Sequence, residues 1–507
     1  MIVSVTNEVA LDEDSIFAGG LGVLEADKFY AMARKNLDYI VLTPYYPKGY
    51  VKYDFVNSDP FAKEDVFPST IDEKLSKIYE ANVKLKKFSS EIGFFEYRIN
   101  KARIVFVKIL NPELSEKLFS RLYDHSHSVN MFYRYLLFSK ACIEFLEKHL
   151  GFSNIDVIDL QESFFAFIPL LLEKENRPRI RLILHTPVPW GHPSFSRGLF
   201  HEEFNFEFIE HDVNLTSIAA AICDEIITVS KKHEEVSKNM LPHFRHKIRS
   251  VTNGIEIPRW MHAELYDRYR SGILDLKSLG EIKSNAKLTL IEHLNKYKRL
   301  DKDKMIIIWA RRTVTYKRPY FIMNFIEENE DLNVNFVLAG KSDPRDGEGL
   351  SNMKRMKEFS DRYSNVVYVW SYEPKFAKLL FQGSDLNVFT PLSGWEACGT
   401  SMMKAGINGT PTISSRDGAS LELIKDGYNG WFFGKELKEL IYPGSQRAWE
   451  IDSEDYLDFK SKLLSIINLW ESDRDRFLEI SFNAINSFMP FVSCDRMLKE
   501  YYGDKAF

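Results

Sequence analysis

The sequence predicts an α/β protein built on two open parallel sheets, and three observations predict it. Its 507 residues exceed the roughly 250 to 300 that one hydrophobic core organises, so the chain should divide into two large units. Short apolar runs alternate with longer amphipathic stretches through both halves, as strands and crossover helices do in β-α-β units. Near the middle a turn carrying a proline, 251–258 (VTNGIEIP), interrupts that alternation. The boundary is therefore set near Asn253, giving an N-terminal unit 1–252, a C-terminal unit 253–485 and a last segment 486–507.

In the first half the runs 39–42, 104–107, 157–160, 180–184 and 226–229 read as buried strands. Between them, Gly19, Gly20 and Gly22 precede an amphipathic run over 24–33, which reads as a loop opening a helix. After the central turn comes a charged, helix-rich stretch from 260 to 302. The strands of the second half are 305–309, 335–338, 366–369, 386–389 and 411–414. Residues 491–502 read as one helix with Ser493 as its cap, free to cross back to the N-terminal unit. Two such sheets in sequence place a ligand at the carboxyl ends of the strands, in the crevice between the units.

Composition narrows the function classes. Hydrophobic residues at 45% and charged residues at 27% are ordinary for a soluble globular chain and exclude disorder or low-complexity architecture. A balance of 67 Lys+Arg against 72 Asp+Glu, net −5, argues against a protein that coats nucleic acid or an anionic membrane. Cys142, Cys223, Cys398 and Cys494 are scattered without a C-x-x-C pair, so neither a disulfide framework nor a cysteine zinc site is expected and a cytoplasmic setting fits. The opening residues carry no basic segment followed by an apolar core, and no run of about 20 apolar residues occurs, so neither secretion nor membrane spanning is expected.

Three segments carry the chemistry. The glycine loop lets backbone N–H groups approach an anion at a helix N-terminus, although a tight turn that merely starts a helix explains it equally well. Residues 309–318 (WARRTVTYKR) set four cations, Arg311, Arg312, Lys317 and Arg318, at the carboxyl end of a strand. Guanidinium forks there suit phosphate oxygens, against the plainer reading of a solvated charged face. Residues 390–410 bring Glu396, a Gly-Thr-Ser turn and then Lys404 in a short helix among Met402, Met403, Ala405 and Ile407. A lysine in apolar surroundings loses charge stabilisation and can react with an aldehyde cofactor, or it snorkels to the surface. His185, after a strand, and Asn253, in the central turn, complete the set. His125 and His127 lack a third ligand nearby, so no metal site is expected, and neither a G-x-S-x-G elbow nor a G-x-x-x-x-G-K-[ST] loop occurs.

Taken together and in order, these segments resemble the α-glucan (glycogen, starch or maltodextrin) phosphorylases, glycosyltransferases of the GT-B type with two Rossmann-like domains facing a crevice. Residues 15–28 (SIFAGGLGVLEADK) are similar to the family's SGGLGVLAGDH stretch, 184–192 (LHTPVPWGH) to THTPVPAGH and 251–261 (VTNGIEIPRWM) to VTNGVHLPTWM. Residues 311–318 resemble its cationic phosphate segment, 339–344 (AGKSDP) its AGKAHP loop and 396–409 (EACGTSMMKAGING) its EASGTSGMKAALNG, with 427–431 and 493–497 matching its C-terminal signatures.

The resemblance implies that Lys404 carries pyridoxal 5′-phosphate, whose phosphate exchanges a proton with the substrate phosphate, and that Arg312 and Lys317 hold that substrate. It implies Arg311, Tyr372, Thr400 and Gly20 around the cofactor. It also puts His185, Glu396, Asn253, Ala397, Cys398, Gly399 and Gly19 around the glucosyl unit. The implied reaction is reversible, retaining transfer of glucose from α-1,4-glucan to orthophosphate, giving glucose 1-phosphate, with no nucleic-acid or membrane partner; a homo-oligomer is compatible with it. Departures lie at 161–164 (QESF), where the family's N-E-G-H histidine becomes Phe164, and at Cys398 and Met402 beside Glu396 and Lys404. Two rivals are a nucleotide-sugar glucosyltransferase of the glycogen synthase kind and a non-catalytic glucan-binding protein on the same fold. Synthases resembling this fold place a lysine before their Gly-Gly-Leu loop and often a second glutamate eight positions after the first, where this chain has Phe17-Ala18 and Lys404.

Overall fold

The computed structural model describes residues 1–507 apart from 14–15, 125–126, 189–190 and 505–507. Ser15 of the glycine-loop motif, His125, and Pro189 and Trp190 of the 184–192 motif lie outside the described residues. Two sheets organise the rest. The first has nine strands in the order Ile248–Ser250, Glu225–Thr228, Arg179–Leu184, Val157–Gln161, Ile2–Val5, Tyr39–Pro44, Ala102–Ile109, Ser89–Ile99 and Ser76–Lys84. The second has six, in the order Val366–Val369, Val334–Ala339, Met305–Ala310, Leu386–Phe389, Thr412–Ser415 and Gly430–Phe433.

All six strands of the second sheet run parallel, with Ile308 opposite both Val337 and Asn387. Met305–Ala310 is buried along its whole length, as a strand covered by helices on both faces must be. The first sheet departs from the all-parallel expectation. Ser89–Ile99 pairs antiparallel with Ala102–Ile109, and Ser76–Lys84 antiparallel with Ser89–Ile99. Only Asn100 and Lys101 separate Ile99 from its partner Ala102, and so short a link joins antiparallel neighbours alone. Asn100 accommodates the turn with φ +53.

Two segments stitch the units together. The hairpin of Lys52–Val56 and Asp59–Lys63 reaches from the N-terminal unit to the second sheet, where Tyr53 donates to the Ser342 carbonyl at 3.1 Å and Phe55 packs 4.9 Å from Trp370. In return, the helix Cys494–Tyr502, capped by the Ser493 hydroxyl, lies against the helix Gly20–Arg34. Its end completes the first sheet's interior: the buried Arg181, paired with Asp159 at 2.7 Å, donates to the Tyr501 carbonyl at 2.6 Å, and the Tyr502 hydroxyl donates to Asp159 at 2.6 Å. Cys142, Cys223, Cys398 and Cys494 are buried free thiols. Among the described residues no helix is long and apolar enough to cross a membrane, and no cluster of metal-ligating side chains occurs.

Candidate active site in the interdomain crevice

A cavity of about 790 Å³ lies where the carboxyl ends of both sheets face each other. In each sheet the chain order reverses beside a central strand, between Ile2–Val5 and Val157–Gln161 and between Met305–Ala310 and Leu386–Phe389. Loops leaving such neighbours splay apart and open a pocket. Gly19, Gly20, His185, Asn253, Arg311, Arg312, Lys317, Tyr372, Glu396, Ala397, Cys398, Gly399, Thr400 and Lys404 all line this one cavity.

On the C-terminal wall the backbone turns after Met305–Ala310 and sends three cations into the crevice. Arg311 is buried, stacks 4.0 Å from the centre of the Phe389 ring and donates to Glu396 Oε2 at 2.8 Å. Its Nε and Nη1 have no hydrogen-bond partner among the described residues. Lys317 Nζ stands 3.3 Å from the same Glu396 oxygen. Burial pushes the Lys317 pKa down to about 7; Glu396 opposes the shift, while Arg311 and Arg312 add to it. Burial raises the Glu396 pKa, but Lys317 and Arg311 outweigh it and hold the carboxyl below its usual range. Arg312 is hemmed in by neighbouring atoms, yet its own surface opens to the cavity, and it makes no hydrogen bond or ion pair among the described residues. It lies across Gly19, where a Cβ would sit 3.2 Å from its Nε. The fourth cation of the segment corrects the sequence reading: Arg318 turns away, pairs with Asp455 at 2.8 Å and Asp452 at 3.0 Å, and holds the Thr390 and Pro391 carbonyls. Its φ of +49 ends the cationic turn and redirects the side chain.

Lys404 sits in the helix Ser401–Ile407, which follows the Gly-Thr-Ser turn. Its ammonium stands 4.0 Å from the Trp260 ring centre and has no hydrogen bond among the described residues. Burial pushes its pKa down to about 8 against the attraction of Asp27, with Arg259 adding to the fall. Asp27 in turn accepts from Arg259 Nη1 and Trp260 Nε1, both at 2.8 Å. The lysine is thus walled by the 257–261 segment, a role for Trp260 that the sequence reading missed although the residue lies inside a recognised motif.

The N-terminal wall contributes neutral or internally satisfied groups. The buried Glu8 carboxylate accepts from the Ala18 and Gly19 N–H groups and from the Tyr123 hydroxyl, so part of the glycine loop's anion-holding capacity is met from within. His185 bonds through Nε2 to Gln161 at 2.7 Å, and burial lowers its pKa to about 3, leaving a neutral ring. Beside it Glu162 accepts from the His185 N–H at 3.1 Å and the Thr186 hydroxyl at 2.7 Å, while its other oxygen has no partner among the described residues. Burial raises the Glu162 pKa to about 8, and the residue holds φ +79, a conformation costly for any side chain other than glycine. Asn253 is buried, its Oδ1 without a hydrogen-bond partner among the described residues. Asp417, another residue missed by sequence reading, accepts the N–H groups of Gly394 at 2.8 Å and Glu396 at 2.7 Å and so fixes the loop that presents Glu396.

Comparison with known proteins gives the frame. The family described as starch synthase catalytic domain matches residues 1–247, and glycosyl transferases group 1 matches residues 291–450. A maltodextrin phosphorylase of Thermococcus litoralis is 25% identical over 96% of this chain and 68% of its own length. A glycogen phosphorylase of Aquifex aeolicus is 25% identical over 96% of this chain and 83% of its own. The chain is a homologue of these phosphorylases. It has the GT-B glycosyltransferase fold. An uncharacterized protein of Methanocaldococcus jannaschii, 24% identical over 96% of this chain and 95% of its own, shares this compact length.

Proposed function

We propose that this phosphorylase homologue catalyses retaining, reversible phosphorolysis of α-1,4-glucan to glucose 1-phosphate in the cytoplasm, with pyridoxal 5′-phosphate held on Lys404. The observation that carries the reading is the charge arrangement of one crevice. Two cations, Arg311 and Lys317, share the carboxylate of Glu396, while Arg312 and Lys404 beside them make no hydrogen bond or ion pair among the described residues. Two phosphates brought together need such an excess of fixed positive charge in a water-poor site.

The residues fit the cofactor. Lys404, with its depressed pKa, offers an amine that is partly neutral near pH 8. The two unpartnered nitrogens of buried Arg311 are donors for which no acceptor stands in range among the described residues. When bound, the group supplies a second phosphate able to exchange a proton with the substrate phosphate. Arg312 and Lys317 would bind and orient orthophosphate, and the Glu396 carboxylate would then be released toward a sugar hydroxyl. His185, held neutral, adds no positive charge beside the glucosyl carbon as it acquires positive character in the transition state. Asn253 Oδ1 offers a free acceptor to a sugar hydroxyl.

The match of residues 1–247 to a starch synthase family favours a second reading, transfer from a nucleotide sugar. The deciding experiment is the near-ultraviolet spectrum of purified protein, then peptide mass after borohydride reduction. A phosphopyridoxyl adduct on Lys404, with orthophosphate-dependent release of glucose 1-phosphate from maltodextrin, supports phosphorolysis. No adduct after supply of the cofactor, with transfer from a nucleotide sugar in the absence of phosphate, supports the second. Saturable glucan binding with neither activity leaves a binding protein.

A further inference from the structure

The mouth of the crevice carries an aromatic group that none of the residues above accounts for. Residues 435–444 connect the strand Gly430–Phe433 to the helix Gln446–Ser472 as a strap whose last three residues line the cavity. The strap is pinned from both units. Trp395 Nε1 donates to the Ile441 carbonyl at 2.7 Å, and Lys232 of the N-terminal unit donates to Glu436 and to the Leu437 carbonyl, both at 2.9 Å. Beneath it Val188, Leu392, Trp395 and Ile451 form a small apolar cluster on which Leu437, Leu440 and Ile441 pack. Tyr442 is left 53% exposed and lines the cavity, its ring edge-on to the buried Trp395 at 5.6 Å and 83°. A second exposed aromatic, Trp449 at 64%, follows on the first turn of the next helix, whose start the Ser445 hydroxyl caps.

Held edge-on to Trp395 on a pinned backbone, and lining a cavity that carries both polar and apolar groups, the Tyr442 ring keeps a face open to a ligand. Its flat, uncharged face suits the C–H-rich face of a pyranose, which tolerates one sugar unit after another along a chain. We propose that Tyr442 is a stacking platform for a glucose unit of an α-glucan leaving the crevice, with Trp449 extending the track outward. The proposal rests on the glucan reading above and names the residue that selects for longer chains.

The test is calorimetric binding of maltoheptaose and of D-glucose to the full chain and to Tyr442→Ala, Tyr442→Phe and Trp449→Ala. Tyr442→Ala should weaken maltoheptaose binding about tenfold, near the upper range for one aromatic face, and leave glucose within about twofold. Tyr442→Phe, which keeps the ring, should bind maltoheptaose as the parent does, and Trp449→Ala should lose less than Tyr442→Ala. Because the ring is exposed, the melting temperature should hold in all variants. Unchanged maltoheptaose affinity in Tyr442→Ala, or an equal loss for glucose, overturns the platform. A parent chain that binds glucose but not maltoheptaose also overturns it, whereas one that binds neither sugar overturns the glucan reading itself. Stacking of a nucleotide base would show instead as weakened nucleoside diphosphate binding in Tyr442→Ala with maltoheptaose unaffected, and that too refutes the proposal.

Discussion

Replacing Arg312 by alanine separates ligand binding from stability more cleanly than any other change in the crevice. The guanidinium opens to the cavity and has no hydrogen bond or ion pair among the described residues, so its removal strands no partner. Fold stability should therefore stay within about 0.5 kcal/mol of the parent. A charge-assisted hydrogen bond to phosphate contributes about 1.5 to 3 kcal/mol, or roughly ten- to 150-fold in affinity. Exposure to the crevice favours the lower part of that range, so a loss of about ten- to thirtyfold in orthophosphate affinity is expected. Arg311→Ala is the contrast. It removes a buried partner of Glu396 and the Phe389 stack, and should cost about 3 kcal/mol of stability as well as affinity. Calorimetric titration with orthophosphate at low ionic strength, paired with thermal unfolding, reads both quantities. The reasoning is refuted if Arg312→Ala binds phosphate as the parent does, or if it loses as much stability as Arg311→Ala.

Three further outcomes are expected. Lys404 should react with pyridoxal 5′-phosphate along a pH curve centred near 8, as its depressed pKa requires; a midpoint in the ordinary lysine range, read by borohydride trapping, contradicts the burial argument. Glu162 keeps its proton in the folded state to about pH 8, whereas the unfolded chain releases it near 4.5. Its contribution to stability is therefore full below 4.5 and falls as pH rises toward 8. Glu162→Gln should flatten that part of the melting-temperature profile, and an identical slope in the variant rules the assignment out. Gly340 has φ +139, and a Cβ there would sit 1.9 Å from the Arg311 carbonyl oxygen. Gly340→Ala should cost about 3 kcal/mol or more in urea unfolding and displace Arg311, whereas wild-type stability would show that the loop relaxes freely.

The parallel strands were legible because each is a short apolar run buried on both faces. Val366–Val369 and Leu386–Phe389 coincide with their sequence limits, and Met305–Ala310 exceeds its own by one residue. The strand Ser76–Lys84 was not legible, since its alternation leaves lysines and a glutamate on an open face and no long apolar run marks it. In the site, residue types announced themselves but directions did not. Arg312 and Arg318 are both arginines in one short segment, and only the backbone turn decides that one faces the crevice while the other anchors Asp452 and Asp455. Glu162 was read only as part of the 161–164 departure and given no role, because neither its positive φ nor its unpartnered oxygen leaves a mark in composition or spacing. Glu8 and Asp417 act by accepting backbone N–H groups ten or more positions away in sequence, a pairing that only the closed fold creates.

The return of the final helix to the first sheet constrains how the protein is made. Asp159 and Arg181, both fully interior, receive their last partners from Tyr501 and Tyr502, more than 300 positions later in the chain. Until residues 501 and 502 have been added, that interior ion pair lacks these two hydrogen bonds. The first sheet is thus begun by early residues and completed by late ones, so a change at Tyr501 or Tyr502 reaches the interior of the opposite end of the chain.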